Sequence, residues 1–188
     1  MLAPKREEFQ MIMDWLAGLE ETPLALWVSE GDLGEALLYM PIYYVMLTFH
    51  AIGMAMIVGI SFVVTARLYG LFAGMPLGAI RKLIDLGWVG FWINAVSGVL
   101  LFIGHPRKEL MTIAFDIKIL AIALACVMLV MMTNALSQVP ATAGGQAAGA
   151  AVPARARGAA LAATIAWLVA MIAGRLIAYT EPPPDWFF

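Results

Sequence analysis

Two histidines, His50 and His105, are the only imidazoles in the chain, and His50 stands in a stretch, 36–66, that holds no Asp, Glu, Lys or Arg. A neutral imidazole in such surroundings is a standard axial ligand for haem iron. Met46, His50 and Met54 fall at i, i+4 and i+8, so they stack along one helix face, and thioethers with imidazole also suit Cu(I). The chain has 13 methionines, however, and a Met stripe at helical spacing in a membrane span is more often packing than a metal site. The single cysteine, Cys126, excludes an internal disulfide and a multi-cysteine metal site, and two histidines exclude a three-histidine one. Asp116, Lys118 and Arg175 complete the costly set: ionisable side chains inside apolar segments, each a functional candidate by default. No nucleophile–base pair, phosphate loop or metal-activated water site is legible, so the chain does not read as an enzyme on its own.

The elements that position these groups follow from composition. With 63% apolar and 13% charged residues, the chain departs from soluble domains toward the bilayer. The net charge of −2 provides no basic field, so nucleic acid is not an expected partner. Segments 86–104, 119–136 and 158–174 also lack Asp, Glu, Lys and Arg. Since a helix needs about 20 apolar residues to cross, four spans are expected near 41–65, 84–104, 110–136 and 158–180. Backbone groups in lipid must be satisfied within their own segment, and no alternating strand pattern is present. The expected fold is therefore all-α: an integral membrane four-helix bundle over 32–188. Asp32 and Glu35 have capping-box spacing, and Pro41 should kink the first span or mark where it meets lipid.

Residues 1–31 form a separate amphipathic region. Phe9, Ile12, Met13, Leu16 and Leu19 recur at helical spacing among Glu7, Gln10, Asp14 and Glu21, which predicts an interfacial N-terminal helix. Thr22-Pro23 starts a second short one. The charged opening does not read as a signal peptide. Arg67, Arg81, Lys82, Arg155 and Arg157 gather in the 66–83 and 137–157 connections, while the amino-terminal region and the tail are acid-rich. The positive-inside rule then predicts a multi-pass protein with both termini outside and the 66–83 and 137–157 connections in the cytoplasm, so that in a bacterial inner membrane both termini are periplasmic. The Ala/Gly/Pro-rich stretch 137–157 reads as a flexible cytoplasmic linker.

With those spans, the candidates share a depth. His50 lies roughly 13 Å below the outer surface and Lys118 roughly 12 Å, while Arg175 and His105 sit near the outer rim. Ser61, Thr65, Thr133 and Asn134 in the inner halves are neutral. One reading is a haem b site in the periplasmic leaflet, with His50 and His105 as axial ligands and Gly53, Gly98 and Gly104 leaving room for a flat macrocycle. Lys118 and Arg175 would serve as propionate partners. The others are copper on Met46, His50 and Met54, or no cofactor at all. In the last case Asn94 and Ser97 serve helix packing and His50 is a structural histidine. Trp88, Trp92, Trp167 and Trp186 read as interfacial anchors or lipid-facing bulk.

Several motifs carry a family resemblance. They are Thr22-Pro23, His50-Ala51-Ile52-Gly53, Arg67-Leu68-Tyr69-Gly70, Ser97-Gly98-Val99-Leu100-Leu101-Phe102 and Phe115-Asp116-Ile117-Lys118. Across about 15–136 the chain resembles a group of uncharacterised bacterial four-helix membrane proteins, itself similar to the copper resistance protein D-like membrane proteins. The resemblance implies a four-helix inner-membrane protein in which His50 and Lys118 belong to the family pattern. The expected function is a small b-type cytochrome-like electron-transfer subunit of a larger membrane complex. Its partners would be the lipid bilayer and other membrane subunits or a periplasmic electron carrier. A copper-handling protein and a cofactor-free accessory subunit are the alternatives.

Overall fold

The computed structural model describes residues 37, 39–104, 109, 112–140 and 152–179. The expected N-terminal helices, the Asp32–Glu35 cap, His105, Trp186 and the middle of the linker lie outside the described residues. Among those residues there are four helices and no strand: α1 (Met40–Leu68), α2 (Leu77–Gly104), α3 (Ile113–Leu136) and α4 (Ala154–Ile177). All four are long and apolar enough to cross a membrane, so the chain is a multi-pass membrane protein. At 1.5 Å per residue they run about 36 to 44 Å, beyond the roughly 30 Å hydrocarbon core, so their end turns lie among headgroups or the helices tilt.

Local sequence explains the boundaries. Pro41 stands in the first turn of α1 and so marks its start, where a missing N–H costs nothing. Gly70, at φ 101°, takes the left-handed conformation that turns the chain after α1. α2 begins at Leu77, directly after Pro76 and seven residues ahead of the expected span, so Arg81, Lys82 and Asp85 are helical. Arg81 reaches across and donates to the carbonyls of Leu136 (2.6 Å) and Val139 (2.5 Å), capping the end of α3. α3 starts three residues later than expected, and α4 four earlier, from Pro153 as N-cap. The expected linker is thus helical over Ala154–Arg157, and Val139 and Val152 at its two ends are buried in the core.

The helices alternate in direction. One end of the bundle carries the start of α1, the α2–α3 connection and the end of α4; His50 lies toward it. The other carries Arg67, Arg81 and the α1–α2 turn. α1 packs along α2, α3 along α4, and α1 against α4, whereas α2 and α3 scarcely touch. Small residues dictate this order, because lipid gives helices no hydrophobic reason to associate and close backbone approach must do the work. Between α1 and α2, a Cβ on Gly53 would stand 2.7 Å from the Asn94 nitrogen and 2.8 Å from the Gly90 oxygen. Between α3 and α4 runs an alanine seam: Ala121, Ala125 and Ala135 face Ala156, Ala163, Ala166, Ala170 and Ala173, all buried. Between α1 and α4, Thr164 shares hydrogen bonds of 2.8 Å with the hydroxyls of Ser61 and Thr65. Large side chains point to lipid instead, Ile113 and Leu120 most of all.

Candidate functional site

The imidazole of His50 is fixed from α2. Its Nδ1 lies 3.0 Å from the Asn94 carbonyl oxygen and 3.2 Å from Ser97 Oγ. A carbonyl can only accept, so Nδ1 carries the proton, and in the neutral ring Nε2 is left as the free lone pair. Asn94 returns a bond of 2.8 Å from its amide to the His50 carbonyl, tying the two helices at one level. The absence of a side chain at Gly98 makes room for the ring, since a Cβ there would stand 3.1 Å from His50 Cε1. Gly53, expected to leave space for a macrocycle, does something else: its vacancy is filled by the α2 backbone at Gly90 and Asn94.

Lys118 approaches from α3. Its aliphatic chain runs over Gly174 of α4, where a Cβ would stand 3.6 Å from Cδ and Cε. Glu109, in the α2–α3 connection, joins it. Burial pushes the Glu109 carboxyl above the usual carboxylate range, partly offset by the positive charge of Lys118.

These three side chains form a shared wall between two cavities. The larger, about 320 Å³, fills the gap where α2 and α3 fail to meet; besides His50, Glu109 and Lys118 it is walled by Phe91, Phe102, Phe115 and Trp167. Phe102 and Phe115 stack across the gap with ring centroids 5.6 Å apart. Phe91 and Trp167 meet edge to face at 6.2 Å and close the cavity floor. The smaller cavity, about 190 Å³, lies on the α1–α4 side, lined by His50, Glu109 and Lys118 with Tyr43, Leu47, Leu101, Gly174, Ile177 and Ala178.

The fold brings His50 and Lys118 together, since both line the two cavities. Other candidates lie elsewhere. Arg175 is exposed, bonds the Tyr179 hydroxyl at 3.0 Å and stacks on its ring, and lines neither cavity. Asp116 is exposed. Met46 and Met54 are buried on the α1 face, but Met46 opens on a separate lipid-side depression with Phe49, Trp92 and Ser97, in which His50 takes no part. Among the described residues no group of three or more His, Cys, Asp or Glu side chains is placed to hold a metal ion. Trp92 is exposed to lipid at 62%, as expected for bulk on that surface, whereas Trp167 is only 4% exposed and belongs to the core. It is a wall of the site, not an anchor.

Sequence reasoning missed Glu109, and a signal existed: it is an acid in a very short connection, two and a half turns ahead of Lys118 and so able to meet its charge. It also missed the orienting role of the Asn94 carbonyl, which no side-chain pattern announces. No protein-family profile, curated protein or solved structure matches this chain. The site must speak through its geometry.

Proposed function

We propose that the protein is a small b-type cytochrome-like electron-transfer subunit, with haem b in the larger cavity and His50 Nε2 as an axial ligand. The observation that carries this reading is the Nδ1–Asn94 carbonyl bond at 3.0 Å, beside a cavity walled by aromatic rings. A ligating histidine ordinarily donates its other nitrogen in this manner, which fixes the tautomer and raises the basicity of the ligating one. The cavity volume falls within the range of small-molecule sites, about 300–1,000 Å³. Lys118 is the propionate partner within the cavity. Haem supplies the one-electron couple; the chain's own residues hold His50 in place, seat the charged edge at Lys118 and keep the floor dry at Phe91 and Trp167.

The same reading puts the chain in a bacterial inner membrane with both termini periplasmic. Arg67, Arg81, Lys82, Arg155 and Arg157 support that orientation, since all lie toward the end opposite His50. His50 and Lys118 then face the periplasmic leaflet, suited to a larger membrane complex or a periplasmic electron carrier. The resemblance to copper resistance protein D-like membrane proteins belongs to this proposal.

An absorption spectrum of the detergent-purified protein tests it. A Soret band with reducible α and β bands is expected, and His50→Ala should abolish it. A His50→Ala protein with an unchanged spectrum would refute the axial assignment. Stoichiometric copper without a Soret band would favour Met46, His50 and Met54 instead, and protein free of both would favour an accessory subunit without cofactor.

A further inference from the structure

The smaller cavity is not needed to hold a macrocycle, yet it is the more polar of the two and shares its inner wall with the larger one. Its roughly 190 Å³ equals about six water volumes at the density of liquid, room for one substituted ring. The charged groups in its lining are one cation and one acid, Lys118 and Glu109. A carboxylate or phosphate ligand would be attracted by the first and repelled by the second. A neutral ring bearing two oxygens, one to accept from the ammonium and one to donate to the carboxylate, satisfies both. Leu47, Leu101 and Ile177 give the apolar part of the lining and suit the ring faces, beside the rings of Tyr43 and His50. On the α4 side the wall is low at Ala178, which is small and exposed. A ligand carrying a lipid tail can reach the cavity from the membrane there.

We infer that this cavity binds the headgroup of a membrane quinol, which is the electron donor to the group held on the other side of His50. The donor role rests on the haem reading above; the binding site does not. The chemistry balances. Oxidation of the quinol would release two electrons, accepted one at a time by the single haem that His50 would hold, and two protons, which the Glu109 carboxylate would take in turn and pass to water. Quinone would be released, and a one-electron carrier would remove each electron before the next is transferred.

The test uses the full-length protein in lipid nanodiscs and a decyl-substituted benzoquinol. Followed at the α band, quinol should reduce the wild-type haem. Glu109→Gln should slow that reduction by roughly a hundredfold, the loss expected of a proton acceptor. Ala178→Leu, at an exposed position, should fill the cavity mouth and slow it roughly tenfold. Both variants should reach the full reduced spectrum with dithionite. Wild-type quinol rates in both variants would overturn the inference, as would a haem that dithionite reduces and quinol does not. A protein without a Soret band sinks the haem reading alone. In that case the oxidised benzoquinone should still quench tryptophan fluorescence saturably, with roughly tenfold weaker affinity in Ala178→Leu. Unsaturable quenching, or equal affinity in the variant, would overturn the site itself.

Discussion

Replacing Gly53 by alanine adds one methyl group at the tightest crossing in the bundle. Its Cβ would stand 2.7 Å from the Asn94 nitrogen, 2.8 Å from the Gly90 oxygen and 2.9 Å from Asn94 Cβ. Contact between carbon atoms is comfortable only near 3.5–4.0 Å, so α1 and α2 must part by more than half an ångström. Two of the three neighbours are backbone atoms, which no rotamer change can move aside. Overpacking of this kind costs about 1–3 kcal/mol. The separation also stretches the Asn94–His50 bonds, 2.8 and 3.0 Å long, which in membrane bundles contribute about 0.6 kcal/mol each. Against this stands a gain of at most about 1 kcal/mol from replacing glycine within a helix. The net expectation is a loss of about 1–3 kcal/mol, read by denaturant titration of helicity in mixed micelles. Gly59→Ala is the internal control: it lies in the same helix, and a Cβ there meets nothing within 4 Å. It should be neutral or slightly stabilising. If the two alanine variants unfold together, the glycine notch does not hold α1 to α2, and the explanation offered for the helix order fails.

Two further outcomes are expected. The folded-state pKa of Glu109 lies above its unfolded value, so the folded protein binds more protons across the interval between them. Stability contributed by this group is therefore present below the ordinary carboxylate range and is lost as pH rises through the raised value. Glu109→Gln should remove that slope from thermal unfolding measured against pH, and an unchanged slope would show that Glu109 is not desolvated. At the opposite end, Arg67 is fully buried, with Nε bonded to the Met75 carbonyl at 2.6 Å and both Nη atoms without a hydrogen-bond partner among the described residues. Burying a guanidinium with a single hydrogen bond costs folding energy, so Arg67→Met should unfold no earlier than wild type in the same micelle titration. A clear loss of stability would mean that the guanidinium is satisfied by something it binds.

How much of this was legible beforehand can be argued residue by residue. The four spans follow from apolar runs, because lipid imposes one rule along the whole length of each helix. Boundaries were less secure. The charged residues Arg81 and Lys82 read as loop, but long basic side chains tolerate helix ends by reaching past them, and Arg81 uses that reach to cap α3. His50 and Lys118 were visible because a titratable group is costly at their depth. Arg175, nearer the outer rim, was a candidate on the same ground, yet its position around the helix turns it outward to Tyr179. Sequence depth gives height along the membrane normal and says little about azimuth.

By itself, then, the sequence determined the class of solvent, the number of crossings and the level at which the costly groups lie, all of which depend on residues within a single helix. Only the tertiary structure decided which helices pack and which part. The notch at Gly53 and the seam of alanines close two pairs tightly and leave α2 and α3 apart. That gap becomes the larger cavity, and it brings Glu109 and Lys118 beside an imidazole anchored to the Asn94 carbonyl. Such an arrangement depends on shape matching between segments distant in the chain, and no periodicity within one segment encodes it.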